Sequence, residues 1–295
     1  MSLPISIDGK VITKPWSSEE LPYLDRGVTY DLPLPEHRAA ALRSYSDNGF
    51  LVVPGWRDPG LMEMLEVYEL QWLRDNQHRY PQGYGHTGYM DSPELRNILC
   101  RSSVSKVLES IIGEPMGVHL TLTNWRSTQR NWHQDGYLNP DLVQDHYVAV
   151  WIAVDDIHPD AGPFEYIPGS HKIWDPIRQD LMLELLGEDG SDPDWPYRSE
   201  DVLTPFFDDA IEQMDLPVNQ FIARKGDILV WHPRLIHRGS APVDQTRERR
   251  AIIAHYSGIN HRSDMPKAVR QSVLALDPLH CVADGYYFPI GDLTV

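Results

Sequence analysis

The chain has 295 residues, with 43 acidic against 26 basic side chains, a net charge of −17 and 41% hydrophobic content. This is the composition of a folded globular protein, and so negative a chain lacks the basic surface that nucleic-acid binding requires. No apolar run is long enough to span a bilayer, no basic-then-apolar leader follows Met1, and Cys100 and Cys281 cannot build a disulfide framework; the expected compartment is the reducing cytoplasm, with no membrane and no nucleic acid among the partners.

Residues 36–47 are a short amphipathic stretch stopped by Asn48-Gly49, and Phe50–Val53 follows as an apolar strand closed by Pro54-Gly55. Asp58-Pro59 is a cap followed by proline at a first helical position, after which Leu61, Leu65, Tyr68 and Trp72 recur at helical spacing. Ser92-Pro93 repeats the start signal, and helical pattern continues in pieces to Ile112-Gly113.

From about residue 115 the period changes to two. Residues 119–123 alternate, and 147–154, 228–232 and 249–256 are β-type runs separated by Gly/Pro turns such as Ala161-Gly162-Pro163 and Lys225-Gly226-Asp227. The acidic segment 174–215 is expected to insert between strands as helices and loop. The fold class expected is mainly β with flanking helices, a sandwich or jelly roll. Residues 1–295 read as a single domain, helix-rich over 36–113 with its β core over 115–260.

The chain has no Gly-x-Gly-x-x-Gly after a strand, and no phosphate-binding loop, His-Glu-x-x-His, Cys-x-x-Cys or Gly-x-Ser-x-Gly, so nucleotide-binding, zincin, dithiol and α/β-hydrolase readings have no support. Histidine chemistry remains. Of two His-x-Asp tripeptides, His158-Pro159-Asp160 lies among turn residues and reads as a solvated loop. His133-Gln134-Asp135 is the other. If it ends a strand, period two points both side chains to one face, giving two corners of a facial triad that suits Fe(II). The third corner needs a distant histidine: His237 is the candidate and His232, followed by Pro233, the competitor. Further on, Arg249-Arg250 enters the last apolar run. A guanidinium there is costly unless it meets an anion such as a carboxylate; alternation lets only one of the two face inward and does not say which.

Together, His133-Gln134-Asp135, Trp151, the run from Gly162 to Lys172, His237 and Arg249-Arg250-Ala251-Ile252 resemble the phytanoyl-CoA dioxygenase family over roughly residues 36–260. The resemblance implies a double-stranded β-helix (cupin-like) core and an oxidoreductase that uses Fe(II), 2-oxoglutarate as co-substrate and O2. It implies His133, Asp135 and His237 as metal ligands and catalytic centre, Arg249 on the distal carboxylate of 2-oxoglutarate, and Trp151 lining the co-substrate pocket. Ser240 matches a family serine, although Arg238 stands as an inserted residue before it. Relatives that halogenate carry a small residue in place of the carboxylate, so Asp135 implies hydroxylation or another C–H oxidation of a small-molecule substrate. A cupin-type metalloenzyme without 2-oxoglutarate and a catalytically silent jelly-roll binding protein are the alternatives. Substrate contacts are open: the loop 80–89 reads equally as a lid or a surface loop, Arg126 as a solvated strand end, and His171 as part of a structural turn.

Overall fold

The computed structural model describes residues 2–14, 43–55, 58–75, 84–271 and 285–290; part of the first expected helix, residues 80–83 of the loop 80–89, and Cys281 lie outside them. Residues 43–48 are helical (α1) and end at Gly49, whose φ of +82° is open to glycine at little cost. Helix α2 (Pro59–Asp75) starts where the cap signal places it, with the Leu61 amide donating to Asp58 Oδ1 at 3.2 Å. Helices α3 (Gly88–Asp91), α4 (Pro93–Leu99) and α5 (Ser102–Ile112) follow. Ser92 caps α4 by accepting from the Leu95 amide, and Gly113 closes α5 at φ +86°.

The β part comprises two short strands at the start, β1 (Ser6–Ile7) and β2 (Lys10–Val11), and two facing sheets. The large sheet contains β3 (Phe50–Val53), β4 (Met116–Leu122), β5 (Tyr147–Ala153), β8 (Ile228–Trp231), β10 (Ala251–Gly258), β11 (Val269–Arg270) and β12 (Tyr286–Tyr287). Its order is β11-β12-β4-β10-β5-β8-β3. The small sheet is β7 (Asn219–Phe221), β6 (Phe164–Tyr166) and β9 (His237–Gly239), in that order. Inserted between β6 and β7 are α6 (Gln179–Leu186) and α7 (Trp195–Gln213). The segment 174–215 is thus inserted between strands as helices joined by loop, and Met182, Leu203 and Phe207 bury its apolar face against Trp174 and Ile177.

Strand β5 shows why period two matters although all seven of its residues are buried. Val148, Val150 and Ile152 face the helices, packing with Leu61, Leu65, Leu99 and Leu108. Tyr147, Ala149, Trp151 and Ala153 face the small sheet, with Phe164, Tyr166 and Phe221. Strand β10 repeats the division, with Ile252, Ala254 and Tyr256 toward the helices and Ala251 and Ile253 toward the small sheet. The chemistry lies in the second layer, between the sheets.

Candidate metal centre and co-substrate pocket

His133 and His237 form an isolated antiparallel bridge in which each amide donates to the other's carbonyl at 3.1 Å. Beyond His133 the chain turns sharply, because the amides of Asp135 and Gly136 both donate to Pro233 O at 2.9 Å. Asp135 takes φ −95° and ψ −20° and opens the short turn Gly136–Leu138. The two side chains of the His-x-Asp pair therefore converge through a bridge and a turn rather than through the alternation of a strand. His237 arrives on β9, which is only three residues long.

The ligand atoms of His133, Asp135 and His237 lie within 4.8 Å of one another, and all three residues are buried. Each imidazole is held from behind: His133 Nδ1–H donates to Asn131 O at 2.6 Å and His237 Nδ1–H donates to Leu235 O at 2.9 Å. Both rings thereby present a bare Nε2. These nitrogens stand 3.7 and 3.5 Å from the Asp135 oxygens, and the rings are inclined at 53°, so their lone pairs can meet at one point. Burial lowers the pKa of His133 well below the ordinary range, helped by Arg130 and His237; it lowers that of His237 too, against the pull of Asp135. Burial alone would raise Asp135, but His237, His255, Arg130 and the Trp231 indole hold it below the usual carboxylate value. Two neutral imidazoles and one carboxylate are a donor set for a divalent first-row ion, with room for further ligands.

A second cluster, Glu114, His146 and His261, also brings its ligand atoms within 4.8 Å. There the imidazoles are stacked 3.4 Å apart at 9°, and both Nδ1 atoms lie on one oxygen, Glu114 Oε1, at 2.8 and 2.5 Å. Parallel ring planes cannot both contain one ion, so this geometry is a carboxylate tie between segments flanking β4, β5 and β10.

A cavity is lined by the three residues of the first cluster together with Arg130, Arg249 and His255. Arg249 lies two residues before β10, is 2% exposed, and its amide donates to Trp125 O at 2.8 Å. Nη1 donates to Gly162 O at 3.2 Å, Nε has no hydrogen-bond partner, and burial lowers the guanidinium pKa to about 10. No carboxylate forms a salt bridge with it among the described residues. Arg250 takes the opposite side, paired with Glu69, Asp155 and Glu248. Trp151 is fully buried, its indole N–H also lacks a partner, and the Arg249 guanidinium carbon is 6.0 Å from its ring centre. Two buried donors without acceptors, beside three inward-facing metal-type ligands, fit a bound carboxylate near a metal.

Ser240 is buried, but its hydroxyl donates to Pro163 O at 2.8 Å. His232 lies beside His171, ring centres 4.9 Å apart, with Nδ1 accepting from the Arg234 amide at 3.1 Å, and neither histidine joins the cluster. His171 belongs to the turn Ser170–Lys172, whose Ser170 Oγ accepts from the Ile236 amide at 2.8 Å. His158 and Asp160 have side chains 46% and 47% exposed, as a solvated loop requires. Arg126 is exposed; within the loop 84–89, the Tyr84 amide donates to Thr123 Oγ1 at 2.8 Å. His255, Trp231 and the Arg130–Glu200 ion pair were not picked out from sequence. Counting by two from Arg249 through Ala251 and Ile253 would have reached His255.

A family model for phytanoyl-CoA dioxygenase matches residues 45–251. The chain belongs to the phytanoyl-CoA dioxygenase family. Among solved structures, it is similar to the epimerase SnoN in complex with Fe3+, α-ketoglutarate and nogalamycin RO (17% identity, TM-score 0.56, covering 77% of this chain and 85% of that one). It is also similar to SnoK, a non-heme α-ketoglutarate-dependent carbocyclase from nogalamycin biosynthesis (19%, 0.55, 83% and 87%). A third is EctD from S. alaskensis with 2-oxoglutarate and 5-hydroxyectoine (15%, 0.57, 89% and 89%). At these identities the likeness shows the fold, a double-stranded β-helix with flanking helices. No curated protein sequence matches the chain. Iron, 2-oxoglutarate and O2 are the cofactor and co-substrates of this family, and no helix among the described residues is long and apolar enough to cross a membrane.

Proposed function

We propose that the chain is an Fe(II)- and 2-oxoglutarate-dependent oxygenase that oxidises a C–H bond of a small metabolite or natural-product intermediate. The observation that carries this reading is the pairing of the His133–Asp135–His237 cluster with a buried, uncompensated guanidinium in one cavity. His133 Nε2, Asp135 and His237 Nε2 would hold the metal. Arg249 would take the distal carboxylate of 2-oxoglutarate through its unused donor, with the Trp151 indole alongside. Ser240, whose own proton goes to Pro163 O, keeps oxygen lone pairs that a co-substrate carboxylate cannot use; its part is to hold the Gly162-Pro163 turn against which Arg249 rests. When bound, the metal and 2-oxoglutarate supply the oxidising chemistry, with succinate and CO2 as co-products. The residues of the chain orient the co-substrate, keep the site dry and hold the imidazoles neutral.

Residues 1–295 would act as one oxygenase domain, in the cytoplasm by the composition of the chain. The carboxylate at Asp135 leaves no vacant ligand position for halide, which favours hydroxylation or a related oxidation over halogenation. The test is succinate release across a panel of small oxygenated compounds, in the wild type and in Asp135→Ala. Substrate-dependent succinate from the wild type alone is the expected result. Full substrate-dependent succinate from Asp135→Ala would overturn the assignment.

A further inference from the structure

On the cavity wall, His255 lies on β10 six residues beyond Arg249, paired in register with Ala149 of β5 and Leu120 of β4. Its ring is edge-on to that of Trp231, centres 6.2 Å apart, so it sits behind the indole that holds Asp135. The Tyr147 hydroxyl is hydrogen-bonded to His255 Nδ1, and both residues are buried.

The direction of that hydrogen bond fixes the tautomer. Tyr147 is 3% exposed and its hydroxyl has no other hydrogen-bond partner among the described residues. If the phenol accepted from Nδ1–H, its own proton would be buried without an acceptor, which costs about 1–3 kcal/mol. The phenol therefore donates, Nδ1 accepts, and the ring proton resides on Nε2. Burial holds the imidazole neutral, with its pKa lowered to about 4. That leaves one donor, Nε2–H, on the ring nitrogen that the wall does not use.

The backing of this pair is itself built. Strand β4 has one extra residue opposite β10: the register passes from His255↔Leu120 to Tyr256↔Val118, which makes His119 a bulge. The His119 ring lies 5.8 Å from that of Tyr147, and its Nδ1 is 3.3 Å from Ser257 Oγ. Ser257 Oγ in turn accepts from Arg262 Nη1 at 3.2 Å. Bulges re-aim side chains beside active sites, and this one buttresses Tyr147.

We propose that His255, held by Tyr147, is a substrate-positioning residue whose Nε2–H hydrogen-bonds an acceptor oxygen of the substrate. The substrate class is then a small compound carrying a carbonyl, ester or ether oxygen near the C–H to be oxidised. Loss of the donor misplaces the substrate without touching the metal or co-substrate. This inference rests on the oxygenase reading above.

The test uses full-length protein, 15N-labelled at histidine and loaded with Zn(II) and 2-oxoglutarate, with cyclohexanone as the acceptor probe and methylcyclohexane as its counterpart without oxygen. The expected spectrum has the His255 proton on Nε2, moving saturably with cyclohexanone and not with methylcyclohexane. His255→Leu should bind cyclohexanone about tenfold more weakly, and His255→Gln, which keeps an N–H donor, should stay within about threefold of the wild type. A proton on Nδ1, an Nε2–H resonance unmoved by the probe, or equal affinity in His255→Leu would overturn the proposal. A parallel anaerobic Fe(II) and 2-oxoglutarate titration of the wild type separates the two readings. A charge-transfer band with an unmoved His255 resonance rejects only this inference, whereas absence of the band rejects the oxygenase itself.

Discussion

The Trp231 indole N–H donates to Asp135 Oδ2 at 3.0 Å. Trp231 is the last residue of β8, pairing with Ala149 of β5 and Phe50 of β3, so the central sheet carries the orientation of the carboxylate. A ligand oriented by a rigid partner loses less freedom when it takes up an ion.

Trp231→Phe keeps the aromatic packing and removes only this donor. Fe(II) affinity should fall by about 10- to 100-fold, the usual range for loss of an outer partner. Anaerobic equilibrium titration measures it, and unchanged circular dichroism would show that the fold is retained.

Arg249 is a buried cation with no carboxylate partner, which costs stability until an anion arrives. Arg249→Met should weaken 2-oxoglutarate binding by a large factor. It should also melt higher without ligand, by about 2–4 °C for each kcal/mol recovered in a protein of this size. Thermal unfolding with and without 2-oxoglutarate reads both effects, and at a 2-oxoglutarate concentration that saturates the wild type the variant should respond far less.

Burial lowers the pKa values of His119, His133, His171, His232, His237 and His255, those of His171 and His255 to about 4. These rings are neutral in the fold, while the same side chains in the unfolded chain take up protons below about pH 6.5. The unfolded state then binds more protons, so stability is full above pH 6.5 and falls progressively as pH drops toward 4. Urea midpoints at pH 7, 6 and 5 should decline in that order, with bound metal resisting the decline by holding His133 and His237 deprotonated.

The Glu114 tie gives a contrasting outcome. Glu114→Ala leaves His146 and His261 without their shared acceptor and should cost about 2 kcal/mol of stability. It should leave the metal stoichiometry at one ion per chain, because the stacked rings do not converge on an ion. His237→Ala should take the stoichiometry to zero.

Much of the β core was legible because β5, β8 and β10 carry long apolar runs bounded by Gly and Pro, and the caps at Asp58 and Ser92 fixed two helix starts. The small sheet was not legible: β6, β7 and β9 have three residues each, too few to show a period, and they exist because facing strands pair with them. The His-x-Asp pair could be found from its spacing, yet the reason its side chains converge, the two amides on Pro233 O, is tertiary. Which arginine turns inward was undetermined by alternation and is settled by partners, since Glu69, Asp155 and Glu248 all stand on the Arg250 side. Trp151, matched to the co-substrate pocket, and Tyr147, which the sequence showed only as part of the run 147–154, are both buried in the core, and their polar atoms acquire meaning only from what lies opposite.

The central claim, one ferrous ion held by His133, Asp135 and His237 with 2-oxoglutarate anchored on Arg249, is tested most directly by anaerobic titration of the apoprotein with Fe(II) and 2-oxoglutarate. The account predicts a visible metal-to-ligand charge-transfer band that saturates at one equivalent of each, is lost in His237→Ala, and needs far more 2-oxoglutarate in Arg249→Met. A wild-type protein that binds Fe(II) without developing the band, or a band that survives in His237→Ala, would contradict it.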